Sequence, residues 1–187
     1  MIYTRNGDDG KTSLKGVRIS KASLHCEVLG SFDELNALMG LCKVKSETNH
    51  LVVSGGIQLK DVFENIQNVL FIVQASLAGY DKPVSQNIVL QLESCISAIE
   101  TSVPMPQFFV MAGGSELAVF FDYVRTVVRR VERVFVLWAD DQGEYDASIV
   151  LMFLNRLSSF MFCCARFTNF LQTYSEKRPS YLIKRHF

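Results

Sequence analysis

The stretch SELAVFFDYVRTVVRRVERVFVLW, residues 115–138, constrains the fold of this chain more than any other feature. Its apolar residues recur every three or four positions, which is the spacing of one face of an α-helix. The broad apolar face that this spacing predicts contains Leu117, Phe120, Phe121, Val124, Val127, Val128, Val131, Val134, Phe135 and Trp138. A helix with so wide an apolar face must bury it against other elements, so the stretch predicts a helical bundle.

Four further stretches have the same helical spacing. We predict helices over about 33–45, 57–78, 85–100 and 146–173, besides the one that runs from about 116 to 138. Strand signals are weak, because the apolar run at 108–111 is short. We therefore predict an all-α, five-helix bundle with ferritin-like up-and-down packing, in a single domain of residues 1–187. Its parts are an irregular N-terminal arm at 1–25, the bundle at about 26–174 and a C-terminal tail at 175–187.

The arm, residues 1–25, contains Gly7, Gly10 and Gly16 but little apolar surface, so it has no evident place in the core. We expect a ligand or a neighbouring subunit to order it. Its stretch GDDGKT looks like the end of a phosphate-binding P-loop. A Walker A loop, however, needs a glycine five positions before its second glycine, and Arg5 is there instead. The glycines still allow backbone N–H groups to approach an anion.

The polar side of the fourth predicted helix carries arginines and two acids: Asp122, Arg125, Arg129, Arg130, Glu132 and Arg133. One interpretation is a solvated face on which Glu132 pairs with Arg129. The other is a polyanion site, because arginine offers planar, bidentate donors for carboxylate or phosphate. The spacing alone does not choose between the two.

The predicted fifth helix places Asn155, Ser159, Arg166 and Asn169 on one face. Asn155 and Arg166 are separated by about three helical turns, so both side chains could face one cleft. Hydrogen bonding between helices of the bundle would explain the same pattern, and both interpretations stay open.

The charge balance gives no reason to expect nucleic acid or a membrane surface as a partner, since 19 Lys plus Arg residues balance 19 Asp plus Glu residues. The five cysteines form no CxxC pair and are expected to be buried small hydrophobic residues. We find no signal segment and no uninterrupted apolar run long enough to span a membrane. A reduced, cytoplasmic setting is the simplest expectation, and an organelle matrix stays open if a transit peptide was removed.

Five motifs occur in order between Tyr3 and Asn169: YTRNGDDGKTS, GSFDELN, FFVMAGGSE, VRTVVRRVER and FLNRLSSFMFCCARF. This set resembles the PduO-type ATP:cob(I)alamin adenosyltransferases. The resemblance implies transfer of the 5′-deoxyadenosyl group of ATP to cob(I)alamin, giving adenosylcobalamin and triphosphate. It also implies a homotrimer with sites between subunits, cobalamin as co-substrate, and Mg²⁺ held mainly by the ATP phosphates. A flavin-type reductase and an adenosylcobalamin-dependent enzyme are the implied partners.

The resemblance also assigns site residues. ATP binding is implied for Thr4, Arg5, Asn6, Gly7, Thr12, Ser13 and Lys21 in the arm, and for Arg129, Arg130, Val131, Glu132, Arg133 and Asn155 in the bundle. Asp33 and Arg125 match an ion pair that supports the corrinoid pocket at a subunit boundary. Phe109 matches the aromatic residue that displaces the lower axial ligand of cobalamin, whereas without the resemblance Phe108 and Phe109 would be interpreted as core. The residues expected to carry catalysis are Arg129, Arg125, Asp33 and Phe109.

The chain departs from the related pattern at two notable positions. Ala112 replaces the proline of an LPGG turn, and Ser159 replaces the aspartate of an LSD motif. Both changes concern the cobalamin side and spare the residues assigned to ATP.

Three functions stay open from the sequence: an adenosyltransferase, a non-catalytic corrinoid or nucleotide carrier that delivers cofactor to a B12-dependent enzyme, and a helical scaffold whose arginines bind an acidic partner. His25, His50 and His186 share no motif with a cysteine or a carboxylate, so each is expected to be a surface or hydrogen-bonded histidine. Adenosyl transfer would need no protein base, because reduced cobalt is itself the nucleophile that attacks ribose C5′.

Overall fold

The computed structural model describes residues 2–143 and 145–181, so His186 and the end of the predicted tail at 182–187 lie outside the described residues. The helices are α1 Leu24–Thr48, α2 Leu59–Leu77, α3 Asn87–Ser102, α4 Glu116–Gln142 and α5 Ser148–Leu171. The predicted bundle of five helices is confirmed.

The first helix, α1, begins well before its predicted start because Ser23 caps it. The side-chain oxygen of Ser23 accepts a hydrogen bond from the Cys26 N–H at 3.3 Å. An N-terminal cap of this kind satisfies one of the backbone donors that a helix start leaves unpaired. The helix then continues through Gly30, with Val28 already buried against the core.

The arm is not irregular throughout, so that prediction is wrong for residues 11–20. Strand β1 Lys11–Leu14 pairs antiparallel with β2 Val17–Ser20. The turn residues Lys15 and Gly16 both have positive φ, 46° and 82°, as a type I′ hairpin turn requires. The sequence pattern concealed this hairpin because asparagine or aspartate is preferred where Lys15 lies. The second pair of short strands, β3 Val52–Val53 and β4 Ile57–Gln58, precedes α2.

Helix α4 lies between α1 and α5, while α2 packs on α1 and α3 packs on α5. The predicted apolar face of α4 is confirmed, since only Phe120 and Val134 within it are less than fully buried. Phe121 stacks on Phe63 of α2 with ring centroids 5.8 Å apart, and Phe63 contacts Phe160 of α5 at 5.6 Å. Such ring pairs add about 0.5–1.5 kcal/mol each beyond the area they bury, so this cluster fastens three helices together.

Helix α5 is the most apolar element. Among the described residues it is the one helix whose length and composition would suffice to cross a membrane. Residues 163–169 are all buried, and α5 packs against both α3 and α4. In this fold α5 is therefore a core helix of the bundle, whose apolar side chains are buried against α3 and α4.

Two polar assignments from the sequence are corrected by the structure. Asp122 does not lie on the polar side of α4 but is buried, and its Oδ2 accepts a hydrogen bond from Arg166 Nη2 at 2.5 Å. Arg166 is 3% exposed, so it does not share a cleft with the exposed Asn155. Hydrogen bonding between elements of the bundle is therefore the correct interpretation for Arg166 and Asn169. Helical spacing misplaced Asp122 because a buried acid depends on a partner in another helix.

His25 joins three helices at the start of α1. Its Nδ1 accepts a hydrogen bond from Trp138 Nε1 of α4 at 3.3 Å, so its Nε2 carries the proton and donates to the Leu77 carbonyl of α2 at 2.8 Å. The two rings also meet edge-on with centroids 5.5 Å apart. His25 is thus a hydrogen-bonded histidine and His50 is exposed, as expected for both.

We expect His25→Ala to lower the free energy of unfolding by about 1–3 kcal/mol, because the Leu77 carbonyl and the Trp138 indole N–H both lose a half-buried partner. His50→Ala is the matched control and should stay within about 0.5 kcal/mol of the unsubstituted protein. Urea unfolding followed by far-ultraviolet circular dichroism measures both changes. Equal losses in the two variants would contradict the role assigned to His25.

Candidate functional site

The arm contains a tight loop, residues 4–10, which we call the arm loop. The Asp8 N–H donates to the Arg5 carbonyl at 3.3 Å and the Gly10 N–H donates to the Gly7 carbonyl at 3.2 Å. Arg5 has a φ of 62°, and its guanidinium carbon lies 5.6 Å from the centre of the Tyr3 ring. The concave side of the loop is a cavity of about 550 Å³ lined by Arg5, Asn6, Asp8, Asp9, Ser13 and Arg18.

Lys21 reaches the arm loop because the hairpin reverses the chain. Its Nζ donates to the Gly7 carbonyl at 2.8 Å, and its backbone N–H donates to the Gly10 carbonyl at 2.9 Å. A Cβ at Gly7 would come within 2.8 Å of this Nζ, so a side chain at that position would displace the lysine. The Thr4 hydroxyl oxygen accepts from the Asn6 N–H at 3.4 Å. The structure therefore brings Lys21 beside the loop residues with which it was grouped from the sequence.

Arg18 and Asp9, which the sequence did not single out, fix the shape of the arm loop. Arg18 Nη2 lies 2.7 Å from both carboxylate oxygens of Asp9, and its Nη1 donates to the Asn6 carbonyl at 2.8 Å. The Lys11 N–H also donates to Asp9, at 3.1 Å. The hydrogen bond from Arg18, and then that from Lys11, lowers the pKa of Asp9. No sequence signal pointed to this pair, because it depends on the unpredicted hairpin, which places Arg18 opposite Ser13.

The arginines of α4 divide between two sides of the helix. Arg125 and Arg129 line a cleft of about 290 Å³ between α3, α4 and α5, which we call the arginine cleft. Its other lining residues are Ile96, Glu100, Ser158, Ser159, Phe162 and Cys163. Arg125 is partly buried, with its Nε 3.4 Å from Asp122 Oδ1, whereas Arg129 is exposed. The cleft thus presents two guanidinium groups and the single carboxylate of Glu100, an arrangement that suits an anion.

Arg130 faces the opposite side, where its Nη2 lies 2.6 Å from Glu34 Oε2 of α1. Arg133 Nη1 donates to the Arg129 carbonyl one turn earlier, at 2.9 Å. Within residues 2–143 and 145–181, Glu132 forms no ion pair with Arg129. The pairing of Glu132 with Arg129 that the solvated-face interpretation expects is therefore not formed, and the role of both arginines in a polyanion site stays a prediction.

Asn155 is exposed on α5 close to the cleft-lining Ser158 and Ser159. Its Oδ1 accepts a hydrogen bond from Arg156 Nη1 at 2.9 Å, and its carbonyl accepts one from the Ser159 hydroxyl at 3.3 Å. Ser159 thus bonds back to its own helix and adds no charge to the arginine cleft.

Phe109 lies on the loop before α4, residues 105–114, which we call the Phe109 loop, and 85% of its surface is exposed. The Met111 N–H of this loop donates to the Lys177 carbonyl of the tail at 2.9 Å. Loop and tail border a cavity of about 630 Å³ lined by Pro106, Gln107, Phe108, Phe109, Arg178, Pro179 and Tyr181. The core interpretation is wrong for Phe109, because a phenylalanine this exposed contributes little to a core.

The arm loop and the arginine cleft are separate in one chain. Among residues 2–143 and 145–181, no hydrogen bond or ion pair joins the arm to Arg125 or Arg129. The arm is attached instead at the end of α2, where Lys15 Nζ donates to the Gly79 carbonyl and lies 5.4 Å from the centre of the Tyr80 ring. The arm loop with β1, the arginine cleft and the Phe109 loop are therefore three separate regions that carry predicted site residues, and Arg130 lies apart from them where it pairs with Glu34.

Asp33 and Val131 lie outside the lining of the arginine cleft. Asp33 is exposed on α1, while Arg125 contacts Asp122 of its own helix. The ion pair between Asp33 and Arg125 stays a prediction for a contact between subunits. Val131 is fully buried in the middle of α4, so in one chain it offers no surface to a ligand.

The cysteines are buried, as predicted, with the exception of the half-buried Cys26. Burial raises the pKa of the Cys163 thiol to about 12, with the nearby Glu100 carboxylate as a second cause. A thiol with so high a pKa is not a nucleophile near neutral pH. In the part of the chain that the structure describes, no three His, Cys, Asp or Glu residues group closely enough to hold a metal ion.

We expect Arg18→Gln to raise the pKa of Asp9 toward the value of a free carboxyl, because Arg18 is the first cause of its lowering. Because this pKa is lowered, the ionised contact between Asp9 and Arg18 stabilises the arm loop fully at pH values above the ordinary carboxyl pKa. The stabilisation is lost as the pH falls through the lowered pKa. NMR titration of the side-chain carboxyl carbons measures the change. Asp146, whose pKa is lowered by hydrogen bonds from Ser148, is the control and should not move. An unchanged Asp9 would contradict the assignment.

Known proteins resemble the chain over nearly its whole length. The model of the cobalamin adenosyltransferase family matches residues 2–168. The corrinoid adenosyltransferase of Bacillus subtilis (strain 168) is 34% identical over 175 residues, which cover 90% of this chain and 86% of that protein.

Solved structures agree with this match. A phenylalanine-to-alanine variant of a PduO-type ATP:corrinoid adenosyltransferase from Lactobacillus reuteri, complexed with cobalamin and ATP, superposes with a TM-score of 0.81 at 30% identity, over 96% of this chain and 99% of that one. An arginine-to-lysine variant from the same organism, complexed with ATP, gives a TM-score of 0.80 at 31% identity, over 96% and 100%. Because the match extends from the arm through most of α5, the chain belongs to the cobalamin adenosyltransferase family.

Proposed function

We propose that this chain transfers the 5′-deoxyadenosyl group of ATP to the cobalt of cob(I)alamin, giving adenosylcobalamin and triphosphate. The observation that carries the proposal is the pair of guanidinium groups, Arg125 and Arg129, in the arginine cleft of a chain from this family. The bond that forms joins cobalt to ribose C5′, and the bond that breaks joins C5′ to the triphosphate oxygen. The electron pair of the new bond comes from cobalt, and the electron pair of the broken C5′–O bond leaves with triphosphate, so no protein base takes part.

We infer that the active unit is a homotrimer of ferritin-like up-and-down bundles, with each site between two subunits. The arm loop is attached to α2 of its own chain and makes no ion pair with its own arginine cleft. A neighbouring arginine cleft would complete the site and would order the arm. Exposed apolar side chains on α1 and α4 supply a surface for such a contact: Leu41, Val44, Val119 and Tyr123. The boundary is also where Asp33 of one subunit would meet Arg125 of another.

In this proposal ATP lies between the arm of one subunit and α4 and α5 of the next. The arm residues are Thr4, Arg5, Asn6, Gly7, Thr12, Ser13 and Lys21, and the bundle residues are Arg129, Arg130, Val131, Glu132, Arg133 and Asn155. Because Arg18 already neutralises Asp9, the charges left for the phosphates are Arg5 and Asp8 of the arm loop and Lys21, which lies against the Gly7 carbonyl. Loop N–H groups and hydroxyls would supply the remaining donors.

Catalysis by the chain would be mainly electrostatic. As the bond to C5′ breaks, negative charge grows on the triphosphate, and fixed guanidinium donors such as Arg129 stabilise it more than they stabilise the ground state. Mg²⁺ would neutralise further phosphate charge when bound. The Ser13 hydroxyl, which lines the cavity of the arm loop, is a hard oxygen donor that would fit an ion which takes most of its ligands from phosphate and water.

Phe109 would act on the corrinoid. Its exposed ring can lie against a flat macrocycle and occupy the lower axial position in place of the nitrogen ligand. Cobalt(II) without that ligand accepts an electron more easily, and cob(I)alamin, the nucleophile, is the result. The electron would come from a flavin-type reductase, and the product would serve an adenosylcobalamin-dependent enzyme.

The free cysteines fit a reducing compartment, for which we propose the cytoplasm. An organelle matrix would supply the same conditions.

The deciding experiment is anaerobic: protein, MgATP and chemically reduced cob(I)alamin are mixed, and the absorbance band of cob(I)alamin is followed. Enzyme-dependent decay to a light-sensitive cobalt–carbon product supports the transferase. A spectral change of cob(II)alamin with ATP, but without turnover, would favour the carrier. The absence of both signals would favour the helical scaffold.

We expect Arg129→Ala to lower kcat/KM by about 100-fold or more, because it removes a charged donor from the developing triphosphate. The fold should persist, since Arg129 is exposed and alanine favours helices. Lys43→Ala, which breaks a surface ion pair between α1 and α2, is the control and should turn over normally. Normal turnover in Arg129→Ala would remove this arginine from the site.

We expect Phe109→Ala to slow the reaction that starts from cob(II)alamin and a reductant by about 10-fold more than the reaction that starts from cob(I)alamin. The reason is that the wedge acts before reduction and not during transfer. The control is Phe71→Ala, which removes an exposed phenylalanine from α2 and should leave the ratio of the two rates unchanged. An equal loss in both assays would exclude the wedge role of Phe109.

A further inference from the structure

The Phe109 loop ends in a turn, Gly113-Gly114, to which the side chain of Asn169 on α5 is hydrogen-bonded. Asn169 Nδ2 donates to the Gly113 carbonyl at 2.9 Å, and its Oδ1 accepts from the Ser115 N–H at 3.0 Å. Ser115 is the cap of α4. The side-chain amide of Asn169 therefore bridges the last turn of the Phe109 loop and the N-cap residue of α4. Gly114 has a φ of 101°, and a Cβ there would collide with the Asn169 amide.

The segment after α5 holds Asn169 from the other side. The Tyr174 N–H donates to the Asn169 backbone carbonyl at 2.8 Å, and the side-chain Nδ2 of Asn169 donates a second hydrogen bond to Glu176 Oε1 at 3.0 Å. Beyond Glu176, the Lys177 carbonyl accepts the Met111 N–H, and the Arg178 guanidinium lies 4.9 Å from the centre of the Phe108 ring. The tail thus runs along the Phe109 loop and contacts it on both sides of Phe109.

Glu176 is itself attached to the core. Its Oε1 lies 2.8 Å from Arg166 Nε, an ion-pair contact in which the Nε–H does not point at the oxygen. Arg166 in turn pairs with Asp122 of α4, and both are buried. A chain of polar contacts therefore runs from α4 through α5 and the tail to the Phe109 loop. The loop needs such support because Ala112 leaves this turn free to rotate where a proline would fix φ.

We propose that Asn169 and Glu176 are positioning residues for Phe109. They hold the Gly113-Gly114 turn and the tail in one arrangement, and this fixes the direction in which the Phe109 ring points. Both side chains act through protein groups: Asn169 is buried against the turn, and the half-buried Glu176 contacts Asn169 and Arg166. The proposal rests on the proposed function for its kinetic consequence, but the effect on the loop can be measured without any substrate.

The test uses isosteric variants of the full-length chain. Asn169→Asp keeps the acceptor for the Ser115 N–H but loses the donor to the Gly113 carbonyl. It also places a carboxylate beside that of Glu176. Glu176→Gln keeps the shape and removes the charge beside Arg166, and it disturbs the core least because it lies in the tail. Asn65→Asp on α2, where the amide donates to the Gln91 side chain at 2.7 Å, is the matched control.

The first readout is hydrogen exchange of the Met111 amide in the protein without substrate. We expect exchange at Met111 to accelerate by about 10-fold in Asn169→Asp and by a smaller factor in Glu176→Gln, while α2 amides stay unchanged. Unchanged exchange at Met111 in both variants would overturn the proposal, whatever the activity. Accelerated exchange throughout the bundle would also overturn it, because the residues would then be general stabilisers.

The second readout is the ratio of the rate from cob(II)alamin with a reductant to the rate from cob(I)alamin. We expect this ratio to fall by about 5-fold or more in Asn169→Asp, in the same direction as in Phe109→Ala, with the KM for ATP unchanged. An unchanged ratio with a loosened loop would overturn the link to Phe109. If the unsubstituted protein forms no adenosylcobalamin, it is the proposed function that fails, and the exchange data still decide whether Asn169 holds the loop.

Discussion

The buried ion pair between Asp122 and Arg166 is the interaction on which the arrangement of this protein depends. A buried charge without a partner costs several kcal/mol, so each of these side chains confines the other, and helices α4 and α5 must meet at one register. The same pair directs the surroundings. Asp122 also forms an ion pair with Arg125, which lines the arginine cleft. Arg166 also forms an ion pair with Glu176, which anchors the tail. One connected group of ion pairs therefore links the positions of the core helices, the arginine cleft and the tail.

Helix α4 has two tasks that are compatible only because they use opposite faces. Its apolar face fills the centre of the bundle between α1 and α5. Its arginines then project where burial is incomplete, toward the cleft on one side and toward Glu34 on the other. Because a well-packed interior deforms little, the backbone of α4 that carries these arginines is fixed in position before an anion arrives. This is the condition under which charged donors stabilise a developing charge most effectively.

The arm follows a different principle. Arg18 neutralises Asp9 and shapes the arm loop, and Lys15 fastens the hairpin to α2, but few apolar side chains of the arm are buried. An element ordered by hydrogen bonds and exposed ion pairs has little local stability, which suits a segment that closes over a ligand. The Phe109 loop resembles the arm in exposure, yet the polar contacts of Asn169 and Glu176 tie it to the core.

The sequence by itself determined the helices and the family. Apolar spacing is a local property, so the face of α4 and the existence of the five helices could be read directly, and the motifs around Arg129, Asn155 and Phe109 identified the family. Only the tertiary structure decided the rest. The hairpin at 11–20 has a lysine where the usual turn residue is expected, α1 gains its first turns from the Ser23 cap, and Asp122 is buried because Arg166 lies on another helix. Each of these features depends on a partner distant in sequence or on a backbone conformation that residue type alone does not fix, and so no spacing pattern could have revealed it.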